Sequence, residues 1–317
     1  MGGFNVAFTN VLLILLYMTP GFLLCKAKMV SADHLPTVST LLLYGCSPCM
    51  IVSSFLNIDY SLQYLANMGI FFVVTLVLQS LFMGIIFFLF NKKYEDSRYR
   101  ILTIGSVLGN VGFFGMPLIR EILPDHPMVI CYSSTYVVSM NVLVFTIGIY
   151  CLTKDVKYIT LKSAILNPST VAFLVAIPLY LLKASTWIPG FIMNGVELLG
   201  RMTTPLCMLI LGVRLGKMSF KSLFSNYFVY LIALGKLILF PVFCFACVYF
   251  LPLDLPFKIS VIVLSAAPCG SVILNLAEIH KSERELSANI LLLSTLLCIF
   301  TIPVIVYFVG LITNLTI

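Results

Sequence analysis

The chain has 317 residues, 61% of them hydrophobic and 10% charged, with a net charge of +7 and a mean hydropathy of +1.09. That is too little polar material to cover a soluble globule of this size, so soluble enzymes and binding domains are excluded and an integral membrane protein is left. The positive balance would suit a nucleic-acid partner only if the positions of the charges were ignored, and those positions speak against one.

A membrane-crossing helix needs roughly 20 mainly apolar residues. Ten such stretches are expected: Phe4–Cys25, Leu35–Leu56, Leu65–Phe90, Ile101–Ile122, Met128–Leu152, Pro168–Leu182, Ile188–Val213, Ser225–Phe250, Phe257–Glu278 and Leu286–Ile312. Only the sixth is short. No basic residue precedes the first span, and Lys26 and Lys28 follow it, so it reads as an uncleaved span rather than a signal peptide. The start, Met1-Gly2-Gly3-Phe4-Asn5-Val6, lacks the Ser or Thr that myristoylation needs.

Fourteen of the nineteen Lys and Arg fall in the loops that follow odd-numbered spans. Only Arg120, Lys183 and Lys258 lie on the opposite side, and Arg201 and Lys236 lie within spans. The positive-inside rule then places the basic loops in the cytoplasm and both termini outside, as in a multi-pass plasma-membrane protein. The cluster from Lys92 to Arg100 is accordingly a topology determinant rather than a ligand site.

Of the ten cysteines, Cys46 with Cys49 and Cys244 with Cys247 are paired at metal-like spacing. Both pairs lie in apolar spans with no nearby His to complete a zinc set, and free Cys is a small, readily buried hydrophobe. No metal or cofactor is expected. His34, His126 and His280 sit at or beyond span ends, and no HExxH, GxSxG or aspartate-rich motif is present, so an intramembrane enzyme is disfavoured.

The longest non-membrane stretch divides the chain into residues 1–152, a connector at 153–167 and residues 168–317. The halves share proline-centred features at separations of 158 (20 to 178), 157 (48 to 205) and 151 (117 to 268) residues. Each half holds five spans. An odd number means that the second copy enters the membrane upside down, which makes an inverted repeat. The fourth and ninth spans carry Pro117 and Pro268 near their middles, and each proline is expected to free the carbonyl four residues back, at Phe113 and Leu264. Such backbone survives in hydrocarbon only inside protein or beside a watery cavity, and paired broken spans point to a transporter's binding site.

Around the first break, Asn110, Gly112, Gly115 and Pro117 are the expected substrate contacts. Around the second they are Ser265, Pro268, Gly270, Ser271 and Asn275. Half-helix N-termini carry roughly +0.5 of a charge and attract anions, although Ser, Gly and Asn also serve close helix packing. A charge inside a membrane costs about 2.5–3.5 kcal/mol on insertion scales, so Lys236 is a candidate counter-charge for a carboxylate unless it snorkels or pairs with a carbonyl. A separation of 157 residues (79 to 236) makes Gln79 its neutral mirror. Glu197 and Arg201, four apart on one helix face, read as a structural ion pair or as a gate in which Arg201 exchanges partners with substrate.

Several segments resemble the auxin efflux carrier family. They are Pro20-Gly21-Phe22-Leu23-Leu24-Cys25-Lys26, Leu41-Leu42-Leu43-Tyr44-Gly45-Cys46-Ser47-Pro48, and Asn110-Val111-Gly112-Phe113-Phe114-Gly115-Met116-Pro117-Leu118. In the second half they are Asn167-Pro168, Leu199-Gly200, Thr204-Pro205-Leu206, Leu211-Gly212 and Ala267-Pro268. The resemblance implies an all-α membrane fold of ten helices in two inverted five-helix repeats, similar to bile-acid transporters, with the fourth and ninth helices broken and crossing. It implies a scaffold of spans one, two, six and seven, a moving domain of the other six, and a homodimer. The long central loop of the plant exporters is absent, which resembles the short prokaryotic branch associated with malate and malonate. Leu118 and Cys269 stand where the plant relatives carry a polar amide. The expected function is elevator-like, alternating-access transport of a small organic anion in the export direction; a sodium- or proton-coupled symporter of the bile-acid type and a channel or sensor are the alternatives.

Overall fold

The computed structural model describes residues 2–159, 161–217 and 226–313. The expected start of the eighth span at Ser225, Lys221 before it and Thr160 of the connector lie outside the described residues. Among the described residues all regular elements are helical, and the β contact is one isolated antiparallel bridge between Gly109 and Cys269. Eight helices among the described residues are long and apolar enough to cross a membrane: Gly3–Lys26, Leu35–Leu56, Leu62–Lys93, Met128–Thr153, Val156–Leu181, Gly190–Lys217, Tyr227–Tyr249 and Arg284–Leu311.

The fourth and ninth stretches are interrupted. The fourth is Ser97–Gly105 followed by Met116–Ile122, and the ninth is Leu255–Ser265 followed by Ser271–Ile279. Neither half is long enough to cross a bilayer alone.

The first break does not lie at Pro117. It occupies Ser106 to Asn110, ahead of a π-helical turn, Val111–Gly115, that leads into Pro117 at the start of the next helix. A proline clashes with the carbonyl four residues back, and Phe113 is the centre of that wider turn. The same device recurs at Leu42–Cys46 before Pro48, centred on Tyr44, and at Gly235–Leu239 before Pro241, centred on Leu237. In each case one loosened turn absorbs the clash, and the helix stays closed. Pro268, by contrast, lies within the second break. The Leu264 carbonyl is not free there, because it accepts from the Ala267 N–H at 3.3 Å. With the breaks placed this way, the half-helices end at Gly105 and Ser265, and helical backbone resumes at Val111 and Ser271. Both separations are 160 residues (105 to 265, 111 to 271), in place of the expected 151.

The first and seventh spans pack backbone to backbone. A Cβ at Gly21 would stand 2.2 Å from the Leu209 oxygen, and one at Gly212 would stand 2.0 Å from the Met18 oxygen. Only glycine permits that approach. The second and sixth spans meet through Phe55 edge-on to Phe173, ring centroids 5.4 Å apart, with Ser47 and Ser169 hydroxyls 3.5 Å apart. The third and fifth meet through stacked Phe71 and Tyr132 and through the Thr75 and Ser139 hydroxyls, 2.9 Å apart.

The basic loops gather at one end. Lys154 pairs with Glu95, Ser97 donates to Glu283, the rings of Tyr158 and His280 lie 5.6 Å apart, and Arg214 meets Glu278 at 3.2 Å. Arg100 is no free topology charge. It is buried and donates to the carbonyls of Cys151, Tyr94 and Glu95 at 2.7–2.8 Å, stapling this end together. Beside it, the Arg98 guanidinium holds the Asp96 carboxyl below the usual range, and Lys154 does the same to Glu95.

Candidate functional site

The two breaks cross and bond to each other. The Asn110 N–H donates to the Pro268 carbonyl at 2.7 Å, and the Gly270 N–H donates to the Leu108 carbonyl at 3.0 Å. Exchanging the two segments at the 160-residue separation (108 to 268, 110 to 270) turns each bond into the other. The approach is close enough that a Cβ at Gly270 would sit 2.9 Å from the Gly109 oxygen.

The carbonyl ends of the first half-helices are also engaged. The Gly105 oxygen accepts from the Cys269 thiol at 3.3 Å, and the Ser265 oxygen accepts from the Lys236 ammonium at 2.6 Å. The Asn110 carbonyl accepts from the N–H groups of Phe114 and Gly115 at 3.0 and 3.1 Å. Lys236 is fully buried; its Nζ stands 5.0 Å from the Phe240 ring centre, and a Cβ at Gly109 would be 3.0 Å from it. The cation therefore completes the negative end of a half-helix dipole. Gln79, equally buried, donates to the Thr75 carbonyl at 3.0 Å and the Ser139 hydroxyl at 3.2 Å, within the packing of the third and fifth spans.

Two cavities flank the crossing. The inner one, toward the basic loops, has a volume of about 540 Å³, and the outer one about 490 Å³. Met50 and Met116 line both and form the wall between them. The structure brings five of the expected contacts to the inner cavity: Asn110, Gly112, Gly270, Ser271 and Asn275. Ser271 opens a nine-residue helix there; the Ile273 N–H donates to the Gly270 carbonyl at 3.1 Å, which leaves the N–H groups of Ser271 and Val272 at its start without a helical partner. Asn110 is 4% exposed; its Nδ2 is buried without a hydrogen bond of good geometry among the described residues, and the Cys207 thiol is the side chain within hydrogen-bonding reach of it. Asn275 is less available, since its Oδ1 accepts from Arg214 at 3.3 Å. The rest of the wall is largely apolar, including Tyr44, Phe113, Met140 and Phe145. Among the described residues the lining has no carboxylate, and Lys162 is its cation.

The other expected residues lie elsewhere. Gly115 packs on the ninth segment, where a Cβ would meet Leu264 at 3.0 Å. Ser265, Pro268, Lys236 and Gln79 line neither cavity, and Pro117, Glu197 and Arg201 line the outer one. Arg201 and Glu197 pair at 2.6 Å. Sequence reasoning missed Met50, Asn141, Ser169 and Lys162 in the inner wall. A polar Asn141 in the middle of an apolar span was the readable signal, whereas Lys162 looked like any other topology charge.

The sequence profile described as "Membrane transport protein" matches residues 6–161 and 152–306. The chain belongs to the auxin efflux carrier family. It is also 23% identical over 291 residues to the uncharacterized transporter MJ1031 of Methanocaldococcus jannaschii, covering 90% of this chain and 93% of that one. In this member of the family, Leu118 and Cys269 are fully buried and line neither cavity. The Cys269 thiol seals the Gly105 carbonyl instead of facing a ligand.

Proposed function

We propose that this protein is an alternating-access carrier of small organic anions such as malate, malonate or another carboxylate, with the inner cavity as its loading site. The observation that carries the reading is the conjunction at the crossing of a half-helix N-terminus at Ser271 with the buried Asn110 amide, whose side-chain neighbour is the weakly accepting Cys207 thiol. Both residues line one cavity, and among the described residues that lining holds no carboxylate. A carboxylate bound there accepts from the amide and from backbone N–H groups, and the apolar wall takes its carbon skeleton.

The exchange of hydrogen bonds at a constant separation supports an inverted repeat of two five-segment halves, making ten membrane segments in all. In this account spans one, two, six and seven are the scaffold. The crossing and its neighbours move past it in an elevator-like step, carrying substrate from the inner cavity to the outer one. The gathered basic loops favour a cytoplasmic inner face, extracytoplasmic termini and a plasma-membrane location. The family further favours a homodimer. An anion leaving an inside-negative cell gains about 2.3 kcal/mol per charge per 100 mV, so export needs no coupling ion. Sodium coupling through freed carbonyls is disfavoured because those of Gly105, Leu108, Asn110, Ser265 and Pro268 already accept hydrogen bonds.

The test is counterflow of labelled malate, malonate and benzoate into liposomes holding the purified protein. Asn110→Ala removes a donor to a charged ligand, a loss of about 1.5–3 kcal/mol. It is expected to raise the half-saturating concentration roughly tenfold or more. An unchanged half-saturation would remove Asn110 from the site.

A further inference from the structure

The outer cavity is built differently from the inner one. Its lining carries two arginines, Arg120 and Arg201, and two glutamates, Glu121 and Glu197, where the inner lining has, among the described residues, a lone lysine and no acid. The arginines come from different elements. Arg120 lies on Met116–Ile122, beyond the crossing, and Arg201 ends the helix Gly190–Arg201 of the seventh span. A charged pair inside a membrane segment is expensive unless it faces water or a ligand, and this one faces the cavity.

The pair is also loosely made. Glu197 engages Arg201 through one contact, Nη2 to Oε1 at 2.6 Å. The other guanidinium donors of Arg201 make no hydrogen bond among the described residues, and its side chain is 65% exposed. A guanidinium is shaped to take a carboxylate through two parallel N–H bonds, so a single-point pair leaves the better geometry unused. Arg120 makes no ion pair among the described residues.

We infer that the outer cavity is a second carboxylate-binding station, in which Glu197 is a resident competitor that a substrate carboxylate displaces from Arg201, with Arg120 as the second cation. This rests on the reading of the protein as an organic-anion carrier. Its consequence is sidedness. An anion meets an acid-free lining on the inside and a self-neutralised one on the outside, so it binds more weakly at the outer station and leaves it readily.

The test is equilibrium binding of malonate to the purified protein, for the wild type and for Glu197→Gln, Arg201→Gln and Asn110→Ala, with Arg201→Lys as a charge-keeping control for folding. An exposed ion pair is worth up to about 1 kcal/mol, or about fivefold in affinity. Glu197→Gln is therefore expected to tighten the weaker of two binding components by about two- to fivefold. Arg201→Gln is expected to remove it, Arg201→Lys to weaken it, and Asn110→Ala to leave it in place while weakening the other. A weaker component that Glu197→Gln and Arg201→Gln leave unchanged overturns the inference. So does a single component abolished by Asn110→Ala, or no malonate binding at all by Glu197→Gln. If the weaker component behaves as expected but none of the three labelled acids crosses liposomes, the carrier reading fails and the outer station stands.

Discussion

Lys236 and Gly109 illustrate how residues act at the crossing. A buried ammonium needs acceptors, and Lys236 meets the Ser265 carbonyl at 2.6 Å with the Phe240 ring alongside. Gly109 leaves the space through which the amine reaches it. Losing a hydrogen bond to a charged group costs about 1.5–3 kcal/mol. Lys236→Gln and Gly109→Ala are therefore each expected to lower initial counterflow rates roughly tenfold or more. Because both act on one contact, the double variant should be no slower than the worse single one. Multiplying defects would show that the two residues act separately. The intramembrane lysine was legible in the sequence, because a charge in an apolar span stands out. Its partner was not, because a backbone carbonyl has no letter of its own.

At the scale of elements, the prolines mislead in an instructive way. Proline marks a missing N–H and a clash four residues back, and it does not mark where a helix opens. Before Pro48, Pro117 and Pro241 a π turn takes up the clash. The fourth segment opens instead at Ser106 to Asn110, where nothing but the glycine and asparagine of the crossing hinted at it. Pro117→Ala should accordingly leave transport within about twofold, since the π turn ahead of it already accommodates the missing N–H and the helix stays closed. Pro268→Ala puts a new N–H into the break, with a cost of about 1–3 kcal/mol if it stays buried and unpaired. A drop of roughly tenfold in counterflow rate is expected there. Equal effects at the two prolines would contradict this placement of the breaks. The zipper of the first and seventh spans is similarly strict. A Gly212→Leu side chain has no room beside the Met18 carbonyl, and its strain of at least about 1–3 kcal/mol should appear as a lowered melting temperature in detergent.

For the whole molecule, composition alone disclosed a membrane protein, and the loop charges disclosed which loops share an end. The contacts of Glu95 with Lys154, Ser97 with Glu283 and Arg214 with Glu278 then join those loops physically. Asp96 and Glu95 have lowered folded values, so their ion pairs stabilise fully above the unfolded carboxylate range, about pH 4. That stability is lost only as the pH falls through the lower folded values. Thermal unfolding should thus show no change from these pairs between pH 6 and 8. The division into two cavities was not legible, because it depends on how Met50 and Met116 from distant elements meet the crossing. Nor does the sequence disclose that the Asn110 amide is enclosed beside the Cys207 thiol, which is a property of its packed neighbours.

The account stands or falls on saturable, sodium-independent exchange of an organic anion through the Asn110 site. Counterflow of labelled malate, malonate and benzoate in liposomes, with and without sodium, measures it directly. Trans-stimulated, saturable uptake of at least one of these acids is expected, unaffected by sodium and with its half-saturation raised roughly tenfold or more by Asn110→Ala. Non-saturating flux, an absolute need for sodium, or no uptake of any of the three would contradict it.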